Sequence, residues 1–300
     1  MSDHKRAIAL GFFDGVHIGH GALLRRTKER AAESDCLASV LSFDVHPDTL
    51  VFGRDVPLIN SALGREDLIR RLYGIENVVF LHFNRHIMQM PWREFADNLV
   101  EELNVGWIVV GHDFSFGHRG EGTAEKLSAY CAERGIGCDV IPPVTLEGRI
   151  VSSTYIRTLI AAGEMVEAAR YLGHPHTLLD TVHSGYHLGT KMGAPTINMQ
   201  FPEGVIVPKH GVYAAKVFLE DGSEHVAVTN VGVRPTVSEG DRLTVESHLL
   251  NYSGNLYGRQ ARLEFHRFLR PEVKFESFEQ LSEQIRRDAE EARKYFEREQ

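Results

Sequence analysis

The chain has 300 residues, more than one average domain, and its 43% hydrophobic and 25% charged content supplies a core for each of two domains. A formal net charge of -8 opposes binding along a nucleic-acid backbone, which needs a basic stripe to displace counterions, although a small anionic ligand held locally stays compatible with it. The N-terminal stretch lacks an apolar run of signal-peptide length, and segments such as Trp107 to Val110 are too short to cross a bilayer, so a cytoplasmic protein without membrane partners is expected.

Up to about residue 145, short apolar runs alternate with stretches of helical period. The runs are "AIALGFF", "LASVLSF", "NVVFLHF", "GWIVVG" and "CDVIPPV". Between them, "PWREFADNLVEEL" places Phe95, Leu99 and Leu103 on one helical face behind Pro91. In "TAEKLSAYCAERG", Thr123 is placed to cap the helix and Gly135 to stop it. Strands this apolar, separated by helices, predict an α/β domain with a parallel sheet covered on both faces. Cys36, Cys131 and Cys138 are odd in number and lack a Cys-x-x-Cys pair, so they read as small buried hydrophobes rather than a disulfide framework or a thiolate zinc site.

The stretch "SSTYIRTLIAAGEMVEAARYLG" predicts one or two further helices ending near Gly173, and His174 and His176 in "GHPH" are expected in an exposed interdomain turn. Beyond it, "LLDTVHSG", "GVYAAKVFLEDG", "EHVAVTNVG", "LTVESHLLNY" and "ARLEFHRFL" follow one another with turn residues and no helices between them. That grammar predicts an antiparallel barrel or sandwich. A last helix carries Leu281, Ile285, Ala289, Ala292 and Phe296 as an apolar stripe, flanked by the pairs Glu283 with Arg287 and Glu290 with Lys294.

Chemistry concentrates in "GFFDGVHIGH", Gly11 to His20, at the first strand-to-helix junction, where open parallel sheets commonly hold phosphate. Gly15 and Gly19 permit close backbone approach, and the helix N-terminus offers free amides and a positive dipole. His17 and His20, three apart, project to one side. Two donors aimed at one phosphate suit phosphoryl or nucleotidyl transfer, which is mostly positioning and charge stabilisation. A His-x-x-His also fits surface polarity or a metal pair, but zinc needs a third ligand at a recognisable spacing and His46 has no signature behind it.

The same stretch resembles the Gly-x-Phe-Asp-Gly-x-His-x-Gly-His signature of the nucleotidylyltransferase superfamily, as found in the bacterial two-domain riboflavin kinase/FAD synthetase family. "SFDVHP", "GHDFSFG", "VSSTYIR", "GAPTIN", "GVYAAKV", "NVGVRPT", "ESHLLNYSGNLYG" and "FLRPE" resemble that family in order, over nearly the whole chain. The resemblance implies a Rossmann-like adenylyltransferase domain over 1–176 and an antiparallel β-barrel riboflavin kinase domain with a C-terminal helix over 177–300. It implies a multifunctional ATP-binding transferase of flavin biosynthesis that takes riboflavin through FMN to FAD, with ATP as substrate and Mg2+ as cofactor.

In the first domain it implies that His17 and His20 stabilise the α-phosphate of ATP while the FMN phosphate attacks, releasing pyrophosphate. Gly11, Phe12, Asp14, Gly15 and Gly19 shape the nucleotide-binding turn, with Asp14 orienting or indirectly holding magnesium or shaping the turn itself. Ser152, Ser153 and Thr154 offer a helix N-cap, Ser153 and Thr154 also phosphate contacts, and Arg157 a fork of donors for the β- and γ-phosphates. Asp113, after the strand "GWIVV", lies at the ligand-binding edge, while Phe114 and Phe116 are equally core aromatics. His46 is a weaker candidate because Val45 replaces the family's usual proline.

In the second domain the resemblance implies Glu246 as catalytic base, although an alternating strand also allows a solvent-facing glutamate there. It implies a phosphate loop with Gly189, Lys191 and Gly193, and Thr196 and Asn198 as magnesium and phosphate contacts. Thr190, Ala194 and Asn251 depart from the family's arginine, phenylalanine and aspartate. These departures leave a second reading, an FMN adenylyltransferase whose barrel binds flavin without catalysis. A non-catalytic flavin-binding protein has no chemical need of both histidines, Arg157 and Glu246, and a nucleotidylyltransferase for another substrate has none of "GAPTIN". Oligomeric state is not legible in the sequence.

Overall fold

The computed structural model describes residues 4–183, 196–236 and 240–298, in two compact units that divide between Ser153 and Thr154. In the first unit the chain runs β1 (Arg6–Leu10), α1 (Ile18–Glu33), β2 (Leu37–Phe43), α2 (Pro47–Phe52), α3 (Ala62–Tyr73) and β3 (Asn77–Leu81). It continues through α4 (Arg85–Gln89), α5 (Trp92–Leu103), β4 (Val105–Gly111), the two-residue strands β5 (Ser115–Phe116) and β6 (Gly122–Thr123), α6 (Ala124–Arg134) and β7 (Gly137–Ile141). A small hairpin, β8 (Thr145–Leu146) and β9 (Arg149–Ile150), follows before α7 (Ser153–Ala162).

All five apolar runs are strands of one parallel sheet, in the order β3-β2-β1-β4-β7. Alternation along them loads both faces: Ile8, Leu10, Ile108 and Val110 pack with Phe95, Leu99, Leu127 and Tyr130. Ala9, Val40 and Val109 pack on the other side with Leu24, Leu68 and Ile69. This two-sided burial is why the strands read as continuous apolar runs. Thr123 caps α6 by accepting the amide of Lys126, Gly135 ends it in the left-handed region, and Pro91 is the cap residue of α5. The strand order reverses between β1 and β4, so the crevice at their carboxyl ends is the place where such sheets take ligands.

The second unit groups most of α7 with α8 (Met165–Leu172), separated by Gly163 at φ 81°. Its strands are β10 (His176–Thr181), β11 (Thr196–Met199), β12 (Gly211–Leu219), β13 (Glu224–Thr236), β14 (Gly240–Leu249) and β15 (Gln260–Arg270). They form one antiparallel sheet, ordered β10-β15-β12-β13-β14-β11. The sheet curls into a half-barrel, and a bridge from His183 to Asn198 joins the chain leaving β10 to the opposite edge strand β11. The final helix α9 (Phe278–Arg298) lays Ala289, Ala292 and Phe296 on Val212, Ala214 and Val228, with Leu281 and Ile285 half-buried.

Two expectations are corrected here. His174 and His176 are not in an exposed turn: His174 is buried, and His176, the first residue of β10, is fully buried with its ring flanked by Phe201 and Phe265. The Gly-His-Pro-His spacing looks like a turn, but β10 begins inside it and carries His176 into the aromatic core. Of the cysteines, all free, only Cys131 is fully buried, with Cys36 and Cys138 half-buried.

Candidate active sites

The turn after β1 is tightly wound. Phe13 (φ 57°), Gly15 (φ 78°) and Val16 (φ 41°) all lie in the left-handed region, rare for a phenylalanine and rarer for a β-branched valine. Phe13 and Val16 are fully buried in the core under α1, which holds the backbone there. Gly11 closes the strand by donating its amide to the Leu41 carbonyl (3.2 Å). Asp14 is buried, and its Oδ1 accepts the amides of Ile59 (2.8 Å) and Asn60 (3.3 Å). These two bonds tie the turn to the 59–60 backbone, so Asp14 shapes the turn.

His17 is the N-cap of α1, its Nδ1 accepting the His20 amide (3.2 Å), so a neutral His17 carries its proton on Nε2. The two imidazoles stack, centroids 3.6 Å apart and 11° from parallel. Gly19 permits this, because a Cβ there would come within 3.1 Å of the His17 ring. Burial, then the adjacent His17, then the Arg65 charge hold the His20 imidazole well below the usual histidine range, as the neutral base. Its Nδ1 is buried without a hydrogen-bond partner.

Arg65 is a functional candidate that the sequence reading missed. It projects from α3, fully buried, and its Nη1 donates to the Phe12 carbonyl and to Ser42 Oγ (2.8 Å), its Nη2 to the Phe43 carbonyl (2.8 Å). The guanidinium lies 4.2 Å over the Phe12 ring. Burial lowers its pKa to about 10, opposed by Asp14 and Asp44, so it stays protonated at neutral pH. The signal was available: with Leu68 and Ile69, position 65 falls on the core face of an amphipathic helix. His46 caps α2 through Nδ1 and meets Phe12 edge-on at 4.6 Å, so it braces the same turn.

Ser153, the first residue of α7, donates its hydroxyl to the Asp14 carbonyl (2.9 Å), a tie to the turn rather than a helix cap. Thr154 is exposed, and Arg157, half-buried, lies one turn further along α7. Asp113 follows β4 at the carboxyl edge of the sheet with its side chain 82% exposed. Phe116 is a core residue stacked on Phe114 at 5.3 Å, so both aromatics serve packing.

In the second unit, Glu246 on β14 pairs in register with Asn198 of β11 on one side and Asn230 of β13 on the other. Thr196 pairs with His248, two positions along on the same face, because register partners share a face and side chains alternate. The opposite face, with Ile197, Val231, Val245, Ser247 and Thr229, is buried. Glu246, Asn198 and Thr196 are half-buried, so they gather on the more accessible side. Asn230 donates to Glu272 Oε1 (3.0 Å), and the Glu272 carboxylate lies against bare backbone at Gly232, where a Cβ would be 2.0 Å from Oε1. Neither Asn230 nor Glu272 carried a residue-level signal beyond lying inside "NVGVRPT" and "FLRPE". Gly189, Thr190, Lys191, Gly193 and Ala194 lie outside the described residues. Asn251 sits at φ 58°, a left-handed position that asparagine and aspartate both tolerate, which accounts for that exchange.

A parallel α/β unit with paired imidazoles at its anion turn, followed by an antiparallel sheet bearing a carboxylate in a row of polar amides, defines a two-unit transferase of the nucleotide-using kind. Comparison with known proteins places it more closely. Residues 1–155 match the family model for FAD synthetase and residues 172–296 that for riboflavin kinase. A bifunctional riboflavin kinase/FMN adenylyltransferase from Listeria monocytogenes is 32% identical over 98% of this chain and 94% of its own. One from Pseudomonas fluorescens is 36% identical over 97% and 93%. A crystal structure described as a macrolide-efflux protein from Streptococcus pneumoniae superposes with a TM-score of 0.82 at 27% identity, over 98% of this chain and 95% of that one. Among the described residues no helix is long and apolar enough to cross a membrane. The chain belongs to the bifunctional riboflavin kinase/FMN adenylyltransferase family.

Proposed function

We propose that the chain catalyses two successive ATP-dependent steps, phosphorylation of riboflavin to FMN by residues 177–300 and adenylylation of FMN to FAD by residues 1–176. The observation that carries the second step is the stacked His17–His20 pair at the α1 N-terminus. The FMN phosphate attacks the α-phosphorus of ATP, the bond from that phosphorus to the bridging oxygen breaks, and pyrophosphate leaves. His17, with its proton on Nε2, donates to the α-phosphate, beside His20 and the amides at the helix N-terminus. Gly11, Phe12, Asp14, Gly15 and Gly19 form the turn, Ser153, Thr154 and Arg157 take the polyphosphate, and Asp113 meets the nucleotide or flavin.

In the first step Glu246 accepts the proton of the ribityl 5'-hydroxyl as that oxygen attacks the γ-phosphorus. Thr196 and Asn198 supply hard oxygen donors, which suits Mg2+. Such a metal keeps waters and leans mostly on the triphosphate rather than on a dedicated protein cage. When bound, magnesium neutralises charge between the phosphates. Gly189, Lys191 and Gly193 complete the phosphate loop, and the protein works in the cytoplasm without membrane or nucleic-acid partners.

The test is chromatography of riboflavin, FMN and FAD after incubation with ATP and magnesium, starting from riboflavin in one tube and from FMN in another. FAD in both tubes is expected. FAD from FMN but neither FMN nor FAD from riboflavin would remove the kinase step, FMN from riboflavin but no FAD in either tube would remove the adenylylation step, and no product in either would remove both.

A further inference from the structure

We infer that Arg65 is a positioning residue for the adenylyl-transfer turn, setting its shape and its electrostatic potential without touching substrate; this rests on the function proposed above. The guanidinium bridges the carboxyl ends of two strands. One nitrogen donates to the carbonyl of Phe12, just past β1, and to Ser42 of β2, and another donates to the carbonyl of Phe43 at the end of β2. Ser42 Oγ in turn donates to the Phe12 carbonyl (2.9 Å), so Phe12 is held from two sides. The Phe12 ring lies under the guanidinium at 4.2 Å and the Phe80 ring of β3 at 5.2 Å.

Stability alone is a poor reason for this arrangement. A fully buried guanidinium has given up its hydration, its Nε has no partner, and an apolar side chain of similar volume commonly serves a core as well. The arrangement gives the turn two things an apolar residue cannot. The fork fixes Phe12 directly before Phe13, Gly15 and Val16, the three left-handed residues that aim His17. The buried charge also sits where anionic phosphate is to be bound, close enough to act on both Asp14 and His20. A planar fork reaching three acceptors is geometry that lysine does not reproduce.

The full-length Arg65→Met, Arg65→Lys and Ser42→Ala variants are to be assayed for FAD formation from FMN and, on the same samples, for FMN formation from riboflavin. Arg65→Met is expected to lower the adenylylation kcat at least tenfold with the KM for ATP within twofold, and to leave riboflavin phosphorylation unchanged. Arg65→Lys is expected to recover part of that kcat through its charge, and Ser42→Ala to lose about threefold. An Arg65→Met kcat within twofold of wild type, or a loss confined to KM, would overturn the inference. If Arg65→Met does not fold, Arg65→Lys and Ser42→Ala decide, and wild-type kcat in both overturns it. A wild-type chain that makes FMN but no FAD would overturn the underlying reading itself, a result distinct from either.

Discussion

His17 uses its Nδ1 to start a helix by accepting the His20 amide, and Glu246 stands between two asparagines on neighbouring strands. Each residue belongs to one unit, so their losses should separate. His20→Asn is expected to cut FAD formation from FMN by about 10²- to 10³-fold, the usual cost of one transition-state donor, with riboflavin phosphorylation intact. Glu246→Gln should do the reverse, lowering phosphorylation by about 10²- to 10⁴-fold. Steady-state rates of both reactions on each variant check the pair.

His176 is a different kind of histidine, buried between Phe201 and Phe265 with neither ring nitrogen partnered. Burial, with His174 nearby, lowers its pKa to about 3. The unfolded chain titrates near the ordinary value of about 6.5, so between these two values it binds a proton that the folded chain refuses. Stability is fully present above about pH 6.5 and falls as pH drops toward 3, by up to about 1.4 kcal/mol per unit. Urea unfolding at pH 7 and pH 5 should show this slope in the wild type and a shallower one in His176→Phe. The motif histidines were legible because they sit in a glycine-rich junction. His176 was not, because only the strand that begins under it shows which way it points.

Among elements, α9 shows what patterning conveys. Its stripe and the pairs Glu283–Arg287 (3.1 Å) and Glu290–Lys294 (2.6 Å) follow from spacing along one helix. Its strongest tether does not: buried Asp288 accepts a two-pronged bond from Arg270 of β15, with Nε at 2.9 Å and Nη2 at 2.7 Å. Asp288→Ala leaves that guanidinium unpaired against the sheet and is expected to destabilise the second unit by about 3 kcal/mol, read as a lower urea midpoint at constant m. In the first unit, Asp139 of β7 likewise gathers Arg26 (3.1 Å) and Arg30 (2.7 Å) of α1 and the Trp107 indole (2.9 Å) of β4. These anchors join residues far apart in sequence, so no local period announces them.

At the scale of the whole molecule, the two reactions are linked in series, since the product of one is the substrate of the other. A mixture of His20→Asn and Glu246→Gln proteins, each unable to carry riboflavin to FAD, should therefore make FAD from riboflavin through free FMN. Chromatography of the mixture against each variant alone tests this.

The sequence by itself determined the two-unit order, the five parallel strands, the antiparallel half and the final helix, because burial on one or two faces writes its period directly into the chain. It determined the His17–His20 turn as well, since glycine, histidine and a helix start coincide within ten residues. Only the tertiary structure decided that Asp14 braces the 59–60 backbone, that Arg65 locks the turn from α3, and that Asn230 stands beside Glu246 while bonded to Glu272. These pairings depend on strand order, register and the depth at which a side chain is buried, and such properties arise only when distant segments are packed together.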